Sequence, residues 1–373
     1  MRRIVHLLIG VLVAGYLVSP SIGFGADVLN PLDRPAVKAK NPASSVLLDV
    51  TLAGSRLVAV GERGIIIYSD DSGSTWKQAD VPTSITLTAV CFPSPKNGWA
   101  AGHAGVILHT TDGGQTWARQ LEGIKAAKLI FDYAKANADS KGPQDEKAQQ
   151  QLSNAQLFVD DTKEGPDKPF LDLYFKNDQE GFIIGAYGLI FRTQDGGNTW
   201  QPWIDHTEND GGLNLYAIYA EGNNYYITGE QGLFLVSKDD GNSFKRVATP
   251  YIGTYFDVVT APSGEIVLVG LLGNAYWSGD QGGTFNKSDV PNQVSFSSAA
   301  RLENGTMFFS NQAGMILVSY DNGKKMTIVD TPRLAPISSI IPISKDTLMT
   351  VGYGGAIAVK LPASGSQEKG GQK

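Results

Sequence analysis

One short phrase recurs along this chain and limits what the chain can fold into. Gly61 and Gly64 bracket two variable residues, an apolar run follows at 65–68, and then comes Ser69-x-Asp71-x-Gly73-x-Thr75-Trp76. The same order returns from Gly102, closing on Asp112, Gly114, Thr116 and Trp117. It returns again from Gly185 (Asp195, Gly197, Thr199, Trp200), from Gly229 (Asp239, Gly241, Ser243, Phe244) and from Gly270 (Asp280, Gly282, Thr284, Phe285). A weaker copy runs from Asn311 to Asp321, Gly323 and Met326, and a last glycine pair, Gly352 and Gly355, has no acidic turn behind it. The starts fall at 61, 102, 185, 229, 270, 311 and 352, so most steps are close to 41 residues. That is the period of a four-stranded propeller blade. Apolar runs with little alternation suit strands covered on both faces, as stacked blades are.

The step of 83 residues between the second and third units holds no second glycine pair and no acidic turn. Ala126, Leu129, Ile130, Tyr133 and Ala134 follow helical spacing. So do Ala148, Leu152 and Ala155, after a break at Lys141-Gly142-Pro143. The expectation is an all-β, seven-bladed propeller over 26–362, with a helical hairpin inserted at 124–167 between blades 2 and 3. The seventh unit lacks a fourth strand, and residues 34–40 are the natural donor, which would close the ring with an N-terminal strand.

Arg2 and Arg3 precede an apolar run over 4–18, and Gly23, Gly25 and Ala26 supply small residues after it. This is the order of a secretory signal peptide over 1–25, cleaved near Gly25-Ala26. The rival, an uncleaved anchor, has only a short apolar run for a bilayer span. Residues 363–373 read as a disordered Gly/Ser/Lys tail. With 31 basic and 37 acidic side chains the net charge is −6, and it falls to −8 once Arg2 and Arg3 are removed. That balance argues against a nucleic-acid partner. Cys91 is the only cysteine, so an intrachain disulfide and any multi-thiolate metal site are excluded. No metal or cofactor is expected, and the product is expected in the periplasm.

The aspartates Asp71, Asp112, Asp195, Asp239, Asp280 and Asp321 sit at equivalent places, whereas catalysis needs different groups in one place. They are expected to fix turns by accepting backbone N–H groups. In an up-down blade the Gly turns, the blade-to-blade links and therefore the helical insert share one face, and the acidic turns lie on the other. On the first face the glycines repeat while the residues between them vary. Glu62, Arg63, His103, Tyr187, Glu230, Gln231, Gln312 and Tyr353 are accordingly the candidate partner-binding residues, with Arg63 and Tyr187 the best anchors by type.

The acidic phrase is the Asp-box, or BNR, repeat, shared by sialidases, some glucan hydrolases and sortilin-like receptors. The whole array most resembles the photosystem II assembly/stability factor family, whose first blade is similar to Val60–Gly64 followed by Ile65 and Ser69-Asp-Asp71. The resemblance implies a non-enzymatic exported propeller that helps a membrane-protein complex assemble. In bacteria without photosynthesis the implied client is an envelope transporter of the resistance-nodulation-division type. The alternative is a glycan-acting or glycan-binding propeller. A sialidase site needs an arginine triad and a Tyr–Glu pair, and the family's Phe/Tyr-Arg-Ile-Pro is missing here. Glu62 and Glu230 share a face but belong to blades 1 and 4, too far apart for a glycosidase pair.

Overall fold

The computed structural model describes residues 30–362, so the expected signal peptide and the tail lie outside the described residues. Seven antiparallel sheets follow one another around a ring. Six have four strands and the seventh has three. In blade 1 the strands are Leu47–Ala53, Arg56–Gly61, Ile66–Ser69 and Lys77–Gln78, paired in sequence order from the centre outward. Blade 7 consists of Ile337–Ser344, Thr347–Gly352 and Gly355–Lys360. The outermost strand is only two residues long in most of the six complete blades.

The core lies between blades. Val58, Val60 and Ile66 of blade 1 pack with Leu87, Ala100, Leu108 and Trp117 of blade 2. Second strands such as Arg56–Gly61 and Gly98–Gly102 are buried almost throughout, which explains their unbroken apolar sequence. Glycine is required where links pass close by. A Cβ on Gly61 would stand 2.2 Å from the Val46 carbonyl oxygen, and one on Gly64, at φ +74°, 2.1 Å from that of Thr83.

The ring is not closed by an N-terminal strand, which corrects that part of the expectation. Residues 34–40 run along the rim of blade 1. Ala36 N–H donates to the Val81 carbonyl (3.1 Å) and Ala39 N–H to Gln78 Oε1 (2.8 Å), while Gln78 Nε2 donates to the Val37 carbonyl (3.0 Å). Lys38 adds a 2.6 Å ion pair to Asp80. Pro35 lacks a ladder donor, and Gln78 supplies the segment with a partner close at hand. Pro42–Ser44 then turns the chain inward. Closure comes instead from apolar contact of Leu57, Ala59 and Ile67 of blade 1 with Met349 and Val351 of blade 7.

The insert forms two helices, α1 (Gly123–Lys141) and α2 (Glu146–Asp161). Glu122 caps α1 by accepting from the backbone of Ile124 and Lys125, and Asp145 caps α2 by accepting from Ala148. Gly142, at φ +84°, ends α1. Alanines 126, 134 and 155, with Ile130, bring the hairpin down onto Phe170 and Leu189 of blade 3.

Candidate functional site: the Gly-turn face and the channel mouth

The acidic turns are rigid fasteners. Asp71 accepts from the Thr75 N–H (2.8 Å), the Thr75 hydroxyl (2.6 Å) and the Ser69 hydroxyl (2.8 Å), while Ser69 Oγ accepts from Gly73 N–H (2.9 Å). Asp112, Asp195, Asp239 and Asp280 repeat the set, and Asp321 keeps the Ser319 and Lys325 contacts. The Thr75 hydroxyl and N–H, with Ser69, hold the Asp71 carboxyl down at about 2. Asp280 is likewise held at about 2, led by the Thr284 N–H. Each oxygen is committed to its own turn. The following tryptophan is pinned too, with Trp117 Nε1 donating to the Gly114 carbonyl (3.0 Å).

The opposite face carries the Gly turns, the links and the hairpin. There Arg63, Tyr187, Gln231 and Leu272 all hold left-handed backbone, at φ 53°, 58°, 54° and 55°. Such conformations in non-glycine residues are unfavourable and persist only where the surroundings impose them. Tyr187 (55% exposed), Leu272 (60%) and Tyr353 (65%) display large apolar groups, and Ile252 on the link between blades 4 and 5 joins them. The eight residues chosen from sequence divide by their contacts. The carboxylates of Glu62 and Glu230 accept from the backbone of Val46 and Asn214, so they brace the links. Arg63, His103, Tyr187 and Gln231 are exposed. Gln312 and Tyr353 meet at one cavity, while Tyr187 stands at the hairpin, its ring edge-on to Phe158 at 6.3 Å.

That cavity, of about 540 Å³, opens at the centre of the face between Gln312 and Tyr353 and is lined by Tyr216, Phe256, Ser297 and Ser338. The last four residues share one cause. Each innermost strand has a bulge one residue from its start, between Leu215 and Ala217, Tyr255 and Asp257, Phe296 and Ser298, and Ile337 and Ser339. A bulge re-aims its extra residue, here toward the channel mouth. Tyr216 and Phe256 meet edge to face at 5.3 Å. Sequence reasoning missed them because the position is constant while the residue varies.

Just below the bulges, blades 1, 3 and 5 carry Asp49, Asp172 and Asp257, where the other blades have Ala89, Ala217, Ser298 and Ser339. Each carboxylate reaches the next blade, accepting from Val90, Ile218 and Ala299 N–H at 2.8, 2.8 and 2.7 Å. Burial pushes Asp49 up to about 6 and Asp257 to about 7 against these hydrogen bonds, and lifts Asp172 well above the carboxylate range. Cys91 is raised by burial to about 12, the mark of an inert thiol. His109 is shifted down by burial and stacks on Trp99 at 4.5 Å. Among the described residues no cluster of His, Cys, Asp and Glu is arranged to hold a metal ion, and no helix is long and apolar enough to cross a membrane.

The sequence profile of the family described as "Photosynthesis system II assembly factor YCF48" matches residues 33–127 and 161–251. The chain belongs to the photosystem II assembly factor family. A relative described as the photosystem II assembly lipoprotein Ycf48, from Synechococcus sp. (strain CC9902), is 28% identical over 185 residues, 49% of this chain and 53% of the relative. The match thus spans about half of that protein. The fold is similar to a structure described as YCF48 bound to D1 peptide (TM-score 0.61, 16% identity, covering 88% of this chain and 99% of that one). It is similar also to YCF48 from Cyanidioschyzon merolae (TM-score 0.61, 15% identity, 88% and 98%). The family profile skips 128–160, most of the helical hairpin.

Proposed function

We propose that the protein is an exported, non-catalytic assembly or accessory factor that grips a segment of a membrane-protein client with its Gly-turn face. The observation that carries this reading is the make-up of that face. Rigid left-handed turns present Arg63, Tyr187 and Leu272 on this face, and a cavity of about 540 Å³ opens on it between Gln312 and Tyr353, with Tyr216, Phe256 and Phe296 in its lining. A fixed backbone with varied, exposed aromatic and arginine side chains is how a recognition surface is built at little entropic cost. A relative named for photosystem II assembly and a fold relative titled as bound to a D1 peptide support a client of the same kind. Arg2, Arg3 and the apolar run over 4–18 support export, with a periplasmic product. A resistance-nodulation-division-type transporter is the narrower candidate client.

The test is photo-crosslinking in intact cells, with the photoreactive amino acid at Tyr353 or Phe256 on this face and at Asn242 or Asn322 among the acidic turns. Crosslinks to a membrane protein from the first pair alone are expected, and their mass spectra name the client. Crosslinks from the acidic-turn pair alone would overturn the reading. So would client recovery left intact by Tyr353→Ala, by Arg63→Ala and by deletion of 124–167. Turnover of aryl glycosides by the purified protein would overturn the non-catalytic part.

A further inference from the structure

A second cleft, of about 380 Å³, lies between the helical hairpin and the connection from blade 3 to blade 4. Ile130 and Ala134 of α1, Phe158 of α2, Pro202 in the outermost strand of blade 3 and Ile204 just after it make an apolar wall. Two polar contacts cross from the helices to the ring. The Tyr133 hydroxyl donates to both oxygens of Asp205 (2.9 and 2.8 Å), and Lys147 pairs with Asp210 (2.9 Å).

The charges at the cleft do not cancel. Lys147 is matched by Asp210, but Asp205 has only a neutral hydroxyl. The nearest ring nitrogen, His206 Nε2, stays 3.8 Å away, and that histidine's other nitrogen is committed to the Asn242 carbonyl at 2.9 Å. An uncompensated carboxylate beside an apolar wall is complementary to a cation carried next to an apolar group. On the α2 side, Gln151 Oε1 accepts from Asn137 and Asn154 Oδ1 from Gln150, whereas Gln151 Nε2 and Asn154 Nδ2 donate to nothing among the described residues. Free amide donors along one wall suit the carbonyls of an extended peptide. The cleft owes its roof to the segment that the family profile skips.

We propose that this cleft seats an extended client segment in which an apolar side chain neighbours a lysine or arginine. The apolar group packs on Ile130, Phe158 and Ile204, and the cation pairs with Asp205. The proposal rests on the client-binding reading above and names the chemistry that one part of the face recognises.

The test pans a phage-displayed random 12-residue peptide library against the purified protein. The leading sequence is then synthesised, labelled with fluorescein and titrated by fluorescence polarisation. Enrichment of an apolar residue next to Lys or Arg is expected, with binding weakened at least tenfold by Asp205→Asn and by Phe158→Ala and restored by Asp205→Glu. Thermal melts show that each variant is folded. Charge reversal in Asp205→Lys is expected to shift the enriched sequences toward acidic residues. A selection that yields no peptide, an acidic consensus with the unmodified chain, or binding indifferent to Asp205 overturns the proposal. If the client crosslinks through Tyr353 in cells but is indifferent to Asp205, the cleft proposal falls and the assembly-factor reading stands. If a basic-apolar peptide binds through Asp205 while no client crosslinks to the Gly-turn face, the reverse holds.

Discussion

Single side chains do two opposite electrostatic jobs in this ring. The carboxylates of Asp71, Asp112, Asp195, Asp239 and Asp280 are held ionised by donors of their own turn, so Asp112→Ala removes acceptors from Thr110, Gln115 and Thr116 at once. At about 1 kcal/mol per typical bond, partly replaced by water, a fall in Tm of about 2–4 °C is expected by calorimetry. Asp49, Asp172 and Asp257 are the reverse case, with folded-state values raised by burial. A raised acid contributes stability that is fully present below about pH 4, its unfolded value, and is lost as pH climbs through its folded value. The protein should therefore lose stability as pH rises from about 4 through about 7. Asp257→Ser, which installs the residue that blades 6 and 7 carry at that place, should flatten this slope. Melting curves with the same slope in both proteins would contradict it. Below about pH 4 the sign turns, because the depressed Asp71 and Asp280 lose stability as they protonate.

At the scale of the blade, the structure explains why the repeat could be read so fully. Gly61, Gly64, Ser69, Asp71, Gly73 and Thr75 act within one turn or against one passing link, so their chemistry is written in adjacent letters. A Gly64→Ala substitution pushes a methyl into the Thr83 carbonyl at positive φ and should cost roughly 1–3 kcal/mol, read by urea unfolding. The helical hairpin was legible for the same local reason, through its alanine spacing and the Gly142 break. The place of residues 34–40 was not legible. A strand donor is chosen by which distant partner offers donors and acceptors, and nothing local announces that Gln78 will offer its side-chain amide. The bulged Tyr216 and Phe256 escaped for a related reason, since a repeat search finds residues that stay the same and a binding surface is made of those that change.

For the whole molecule, the seam between blades 7 and 1 is a join by apolar contact, without the shared sheet that was expected. Met349 sits at its centre, fully buried and pressed toward Gly73 of the first acidic turn. Met349→Ala should cost about 2–5 kcal/mol through the cavity it leaves. An equal change at Met307, inside the blade 5–blade 6 contact, offers the comparison. If the seam is the weaker boundary, hydrogen exchange in the Met349 variant should accelerate first in Thr347–Gly352 and Leu47–Ala53 and leave blades 3 to 5 protected. Uniform acceleration around the ring would refute this.

The three-stranded last blade leaves Gly355–Lys360 as an outer strand with no fourth strand beside it among the described residues, where six neighbours end in one. A closed hoop resists being pulled apart equally everywhere, but this one has a clasp. When the molecule is drawn open, whether by heat, denaturant or a translocating motor tugging on its ends, parting should begin at the clasp and travel from there in both directions.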